Sequence, residues 1–187
     1  MAEQWDVYDV NRQRTGRIIE RPSAWGQETY HLIIHVAIFD SKHRMLIQRR
    51  SPRKQAWADL WDVSSGGSAL AGEESWQAAE RETFEELGVQ LNLKDVRPHF
   101  TINYTRGFDD FYTVETDGLD LSSLKLQDSE VAEVRWAALG EVRQMLQNGT
   151  FVPYFPGLIE MLWQVRDNYD GAIQQKSSAT KHIPDHR

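Results

Sequence analysis

The densest set of groups able to do chemistry lies in residues 67–89, where Glu73, Arg81, Glu82, Glu85 and Glu86 fall between Gly67 and Gly88. Glu73 to Leu87 contains no proline or glycine and is rich in Glu, Ala and Arg, so it reads as a helix capped at its C-terminus by Gly88. At about 100° per residue, Trp76, Ala79, Thr83 and Leu87 form the face that packs on a sheet. Glu82, Glu85 and Glu86 fall in an arc beside it, so three carboxylates converge at the margin of the buried face. Like charges at such spacings repel, and partial burial pushes carboxyl pKa values up. A divalent cation reverses the sign of that cost, and an all-oxygen donor set suits Mg²⁺ or Mn²⁺ rather than zinc. A solvated acidic face is the commoner origin of a Glu-rich helix. Here the glutamates adjoin the apolar stripe and follow a glycine-rich strand end.

Residues 67–89 resemble the signature of the Nudix hydrolase family at every fixed spacing: Gly67, Glu73, Arg81-Glu82, Glu85-Glu86, Gly88 and the aliphatic Val89. One position departs. Thr83 stands where an aliphatic residue is usual, and being β-branched and core-facing it implies a small packing cost. The resemblance implies an α/β fold, the Nudix α/β/α sandwich with a mixed sheet, to which the residue pattern adds an N-terminal β-hairpin extension and C-terminal helices. It implies that Glu82, Glu85 and Glu86 bind metal and carry catalysis. Gly67 would lend its backbone carbonyl, and Arg81, paired with Glu73, would orient the glutamates. Glu73 and Gly88 take structural roles, and Glu130 is a candidate additional acid or base. The implied activity is hydrolysis of a nucleoside diphosphate or its derivative by metal-activated water, with Mg²⁺ or Mn²⁺ as cofactor.

The stretch from Tyr30 to Phe39, with Gln48-Arg49-Arg50, Trp57, Trp61 and Gly72-Glu73, also resembles type I isopentenyl diphosphate isomerase, a relative on the same scaffold. That enzyme carries a catalytic cysteine just before the first motif glycine and a metal-binding histidine just after it. Gly66 and Ser68 occupy those places, and the chain has no cysteine. His31 matches one of its metal histidines, yet a lone histidine beside a core strand is more often structural. A nucleotide-binding module without catalysis is the third reading, and the intact Arg81, Glu82, Glu85 and Glu86 weigh against it.

These groups need elements to position them. Asp6–Asp9 and Arg17–Arg21 read as two short strands joined by a turn, followed by breakers at Pro22, Ser23 and Gly26. His31–Asp40 is a buried strand, returning through a turn as Met45–Gln48. Leu60–Ser65 reads as a short strand running into Gly66-Gly67. Strands are expected at Phe100–Tyr104, Phe108–Glu115 and Val131–Ala137, and helices at Leu139–Gln147 and Gly157–Tyr169. The order gives a strand extension over 1–28, a hydrolase domain over 29–170 and a loose polar tail over 171–187. The basic loop Arg49, Arg50, Arg53 and Lys54 supplies candidate phosphate contacts, with Arg49 and Arg50 favoured because they adjoin the strand. Trp25, Tyr30, Trp57, Tyr104, Phe108 and Tyr154 are the aromatics available to a base.

Of 187 residues, 28 are acidic and 21 basic, a formal charge of −7. Residues 67–89 account for −5 of it, with Glu73, Glu74, Glu80, Glu82, Glu85 and Glu86 against Arg81. The sign argues against a nucleic-acid polymer or an anionic membrane as partner, and the resemblance implies a small-molecule substrate of the nucleoside diphosphate type. The absence of cysteine excludes disulfides and thiolate chemistry. With neither a signal peptide nor an apolar run near 20 residues, the expected location is the cytoplasm. A two-fold homodimer is the expectation for any oligomer.

Overall fold

The computed structural model describes residues 3–21 and 29–166. The breakers at 22–26, the end of the final helix and the polar tail lie outside the described residues. Strands β1 (Gln4–Tyr8) and β2 (Arg14–Glu20) pair antiparallel in a sheet of their own. The chain then runs through β3 (His31–Asp40), β4 (Met45–Arg50), β5 (Trp61–Asp62), β6 (Ser65–Ser68) and α1 (Ser75–Leu87). It continues through β7 (Phe100–Tyr104), β8 (Gly107–Thr116), a 3-10 turn at Leu121–Ser123, β9 (Val131–Ala137), α2 (Leu139–Gln147) and α3 (Pro156–Val165).

The large sheet has the order β5-β4-β3-β8-β7, with β6 joined to β3 and β9 to β4. It is mixed: β3 and β8 run parallel from His31↔Gly107 to Asp40↔Thr116, and the other pairs are antiparallel. The parallel pair requires a long crossover, and α1 lies within that connection. Alternation along β3 serves two cores. Leu32, Ile34, Val36 and Ile38 face α1 with Ala78, Ala79 and Leu87. Ala37 and Phe39 face α2 and α3 with Val142, Ile159, Leu162 and Trp163. Helices therefore cover both faces, the expected α/β/α layering. Among the described residues, no helix is long and apolar enough to cross a membrane.

Strand ends shift by a few residues from those expected, and two of the differences, both next to the acidic helix, have local reasons. Helix α1 begins at Ser75 rather than Glu73, because Glu74 is its extended N-cap, with the Glu74 N–H donating to Gln77 Oε1 at 2.9 Å. The Glu73 carboxylate instead turns back to accept the Leu70 N–H at 2.8 Å. The strand expected at Leu60–Ser65 divides into β5 and β6. Ser64 between them is buried, with its hydroxyl accepting from Ile38 N–H and donating to the Leu46 carbonyl. Strand β6 then carries on through both glycines and pairs Gly66 with His35 and Gly67 with Ile34. The N-terminal hairpin grips the entry to α1. Gly72 N–H donates to Asp6 Oδ2 (2.8 Å), Arg14 to Glu74 Oε1 (2.9 Å), and Arg12 to Asp110 Oδ1 (2.9 Å). Asp110 is fully buried and also receives the hydroxyl of Ser75, the first residue of the helix.

Candidate active site

Arg81 organises the acidic face of α1. Its Nε and Nη2 donate to the two oxygens of Glu73 at 2.7 and 2.9 Å, the planar fork that guanidinium and carboxylate form best. Its Nη1 donates to Glu82 Oε1 at 2.9 Å and Glu85 Oε2 at 3.1 Å, and Nη2 reaches the Ser68 carbonyl at 3.1 Å. One guanidinium thus joins β6, the turn before α1, and two turns of the helix. Burial works against the Arg81 charge, but Glu73 and Glu82 outweigh it and hold the group firmly protonated.

The three helix glutamates stand in different surroundings. Glu85 is half-exposed. Glu82 is largely enclosed, and burial raises its pKa against the pull of Arg81. Glu86 is not at the margin of the buried face as expected but within it, at 3% exposure. Burial, with the neighbouring Glu82 charge added, pushes its pKa up to about 8. Gln48 Nε2 and Gly66 N–H both donate to Glu86 Oε2, at 3.1 and 3.3 Å. Thr83 donates or accepts at Ser65 Oγ across 2.7 Å, so the hydroxyl that replaces an aliphatic group is satisfied inside the core.

Gly67 lies against Glu82, and a Cβ there would overlap the Glu82 carboxyl group. The backbone of β6 can approach the helix carboxylates only because this position has no side chain. Among the described residues no three acidic or imidazole groups form a ready-made metal cluster. Arg81 draws Glu82 and Glu85 to one side while Gln48 and Gly66 hold Glu86. The donor set is nonetheless all oxygen, with a buried carboxylate and a glycine cradle, and its chemistry fits a hard divalent cation.

The basic loop is more committed than its sequence suggests. Arg49 pairs with Asp59 (2.5 Å) and Glu133 (3.2 Å), and Arg50 pairs with the buried Asp62 (2.9 Å). Lys54 forms an ion pair with Glu130, and its charge opposes the rise in the Glu86 pKa. Glu130 therefore sits beside a lysine next to the acidic helix, at the turn before β9. Gly88 ends α1 in the left-handed conformation (φ 71°), its N–H donating to the Phe84 carbonyl at 2.8 Å.

Among the aromatic candidates, Phe108 is a core residue beside Tyr8 and Tyr30, and Trp57 is exposed. Trp25 lies outside the described residues. His31 stacks on Trp5 with ring centroids 4.7 Å apart and meets the Tyr104 hydroxyl, and burial lowers its pKa to about 4. A second polar assembly lies outside the sequence candidates except for Tyr154. His35 Nδ1 pairs with Asp109 Oδ1 (2.7 Å), and its Nε2 meets the Tyr154 hydroxyl (3.1 Å). Tyr154 also donates to Asp62 Oδ1 (2.8 Å), whose other oxygen binds Arg50. The chain of groups crosses β8, β3, the segment before α3, β5 and β4. A Cβ on Gly66 would lie 2.7 Å from His35 Cδ2, so the His35 ring packs directly beneath the strand that carries Gly67. The one available signal is the presence of charged residues inside two apolar strand runs, at His35 and at Asp109-Asp110.

Comparison with known proteins agrees with this arrangement. The NUDIX domain family model matches residues 29–155. A Nudix hydrolase of Listeria monocytogenes is 42% identical over 153 residues, covering 82% of this chain and 90% of its own. The isopentenyl-diphosphate Delta-isomerase of Pectobacterium atrosepticum is 28% identical over 160 residues, covering 80% and 85%. In fold, the crystal structure of DR0079 from Deinococcus radiodurans superposes with a TM-score of 0.69 at 22% identity, covering 85% of this chain and 98% of that one. The chain belongs to the Nudix hydrolase family, and is an enzyme acting on phosphorus-containing acid anhydrides.

Proposed function

We propose that the protein is a divalent-cation-dependent pyrophosphohydrolase that cleaves the diphosphate linkage of a nucleoside diphosphate or its derivative. The observation that supports this reading most is the acidic face of α1, where Arg81, forked on Glu73, binds Glu82 and Glu85, Glu82 lies against Gly67, and Glu86 is held by Gln48 and Gly66. The first-choice cation is Mg²⁺ or Mn²⁺, which the three carboxylates and the Gly67 carbonyl would hold. A bound cation offsets the phosphate charge and acidifies a water for attack on phosphorus.

The remaining roles belong to the chain. Arg81 keeps Glu82 and Glu85 within reach and compensates their charge while no cation is present. A carboxylate of this group takes the proton of the attacking water, with Glu130 as an additional acid or base once it separates from Lys54. Arg49, Arg50 and Lys54 line the approach with positive charge for the diphosphate, and each must exchange a carboxylate partner for a phosphate to do so. We read residues 29–170 as the hydrolase domain and 1–28 as a strand extension, of which the hairpin of β1 and β2 braces the entry to α1.

Isomerase chemistry is disfavoured by Gly66 and Ser68 at the places of its cysteine and histidine. The deciding experiment is a panel of nucleoside diphosphates, nucleotide sugars, dinucleoside polyphosphates and coenzymes, assayed for phosphate-bearing products with Mg²⁺, Mn²⁺ or EDTA. Cation-dependent hydrolysis is expected. Conversion of isopentenyl to dimethylallyl diphosphate without phosphate release would replace this reading, as would binding without turnover.

A further inference from the structure

Gln48 is a polar side chain where the fold calls for an apolar one. It lies in β4 two residues beyond Leu46, on the face that packs against α1, and is 2% exposed. Its Nε2 donates to Glu86 Oε2 at 3.1 Å. Its Oε1 is buried and has no hydrogen-bond partner among the described residues. Buried amide oxygens are almost always satisfied, so an orphan beside a buried carboxylate calls for an explanation.

The two ends of the amide suggest one. Gln48 and the Gly66 N–H converge on the same oxygen of Glu86, Oε2. Among the described residues, no donor reaches the other oxygen, Oε1. The carboxylate is therefore clamped by one oxygen and presents the other, the way an outer partner orients a metal ligand. The unpaired Gln48 Oε1 lies on the same side chain as that clamp, where it can accept a hydrogen bond only from something that enters the site.

We propose that Gln48 is a positioning residue of the cation centre: its NH₂ fixes Glu86 Oε2, and its free carbonyl oxygen accepts a hydrogen bond from water carried in by a hydrated divalent cation. The inference rests on the cation centre proposed above. It assigns Gln48 a part in cation affinity and none in the fold, and the two are separable because the side chain adds no net stability to the cation-free protein.

The test uses the full chain, with Mn²⁺ alone as the probe and its free concentration read by electron paramagnetic resonance. Q48M keeps the side-chain length and removes both polar groups, and Q48L serves if that variant folds poorly. The Mn²⁺ dissociation constant is expected to rise by about tenfold or more, the usual effect of losing an outer partner. In EDTA, Tm should hold, since removal of the unsatisfied Gln48 Oε1 offsets the loss of one of the two donors to Glu86 Oε2. A dissociation constant within twofold of wild type overturns the role of Gln48. A fall in Tm in EDTA accompanying the weaker binding also overturns it, by marking Gln48 as a packing residue. Failure of the wild-type chain to bind Mn²⁺ would instead remove the cation centre itself.

Discussion

Gly67 and Glu82 occupy adjoining space: the volume that a side chain on Gly67 would fill is taken by the Glu82 carboxyl group. Glu82 is the end of a flexible side chain, so Gly67→Ala can be accommodated by pushing that carboxylate aside while the backbone stays. The expected outcome is a folded protein with turnover lowered by about tenfold or more. Circular dichroism and a cation titration of activity check it, and unchanged activity would separate Glu82 from the centre.

Glu86→Gln should remove most turnover, on the order of 100-fold or more, while leaving the fold intact. The stability effect has a definite sign. The folded-state pKa of Glu86 is raised to about 8 from 4.5, so its stabilising contribution is complete below 4.5 and is lost as pH rises through about 8. Without cation at about pH 8.5, the glutamine variant should therefore melt no lower than wild type. Thermal melts in EDTA across pH measure this directly.

Arg81→Ala strips the shared counter-charge from Glu73, Glu82 and Glu85. Because the guanidinium is partly exposed, the expected loss is about 2–3 kcal/mol, below that of a fully buried pair. Added Mn²⁺ should restore part of it by supplying positive charge to the same carboxylates. Urea unfolding with and without the cation reads both effects.

His31 is held neutral by burial, with its pKa depressed to about 4 from 6.5. Its contribution is present above 6.5 and is lost as pH falls towards 4, because the unfolded chain takes up the proton first. The full difference corresponds to about 3 kcal/mol. The His31→Phe variant should keep the stack on Trp5 and show a shallower loss of stability over this range in urea midpoints.

Tyr154→Phe removes the link between His35 and Asp62 and leaves each one partner short. A cost of about 1–2 kcal/mol is expected. A double-mutant cycle with His35→Gln should show coupling, and additive effects would deny that the chain of groups acts as a unit.

The helix and its acidic face were legible because they are written within a few turns of local sequence. The run from Trp76 to Leu87 needs only the helical period to be read, whereas the pairing of Glu73 with Arg81 depends on the turn before α1. Strand β3 was equally clear from its β-branched run. The extent of β6 was not: the strand expected at Leu60–Ser65 ends at the glycines, and it continues to Ser68 because Gly66 and Gly67 let backbone lie against His35 and Glu82. The commitments of the basic loop were also hidden, since the partners of Arg49 and Lys54 include Glu133 and Glu130 from β9 and the turn before it.

Sequence alone determined the family, the α/β layering and which carboxylates stand on one side of α1, since these follow from short-range spacing and periodicity. Only the tertiary structure decided how those carboxylates differ. Glu85 remains near solvent, Glu82 is held by Arg81, and Glu86 is buried against Gln48, a residue 38 positions away in sequence. The same holds for His35 and Tyr154, separated by 119 positions and joined across the sheet. Burial and pairing set the pKa of a carboxylate or an imidazole. Both depend on which distant segments the folded chain packs together, a property that no local pattern of residue types records.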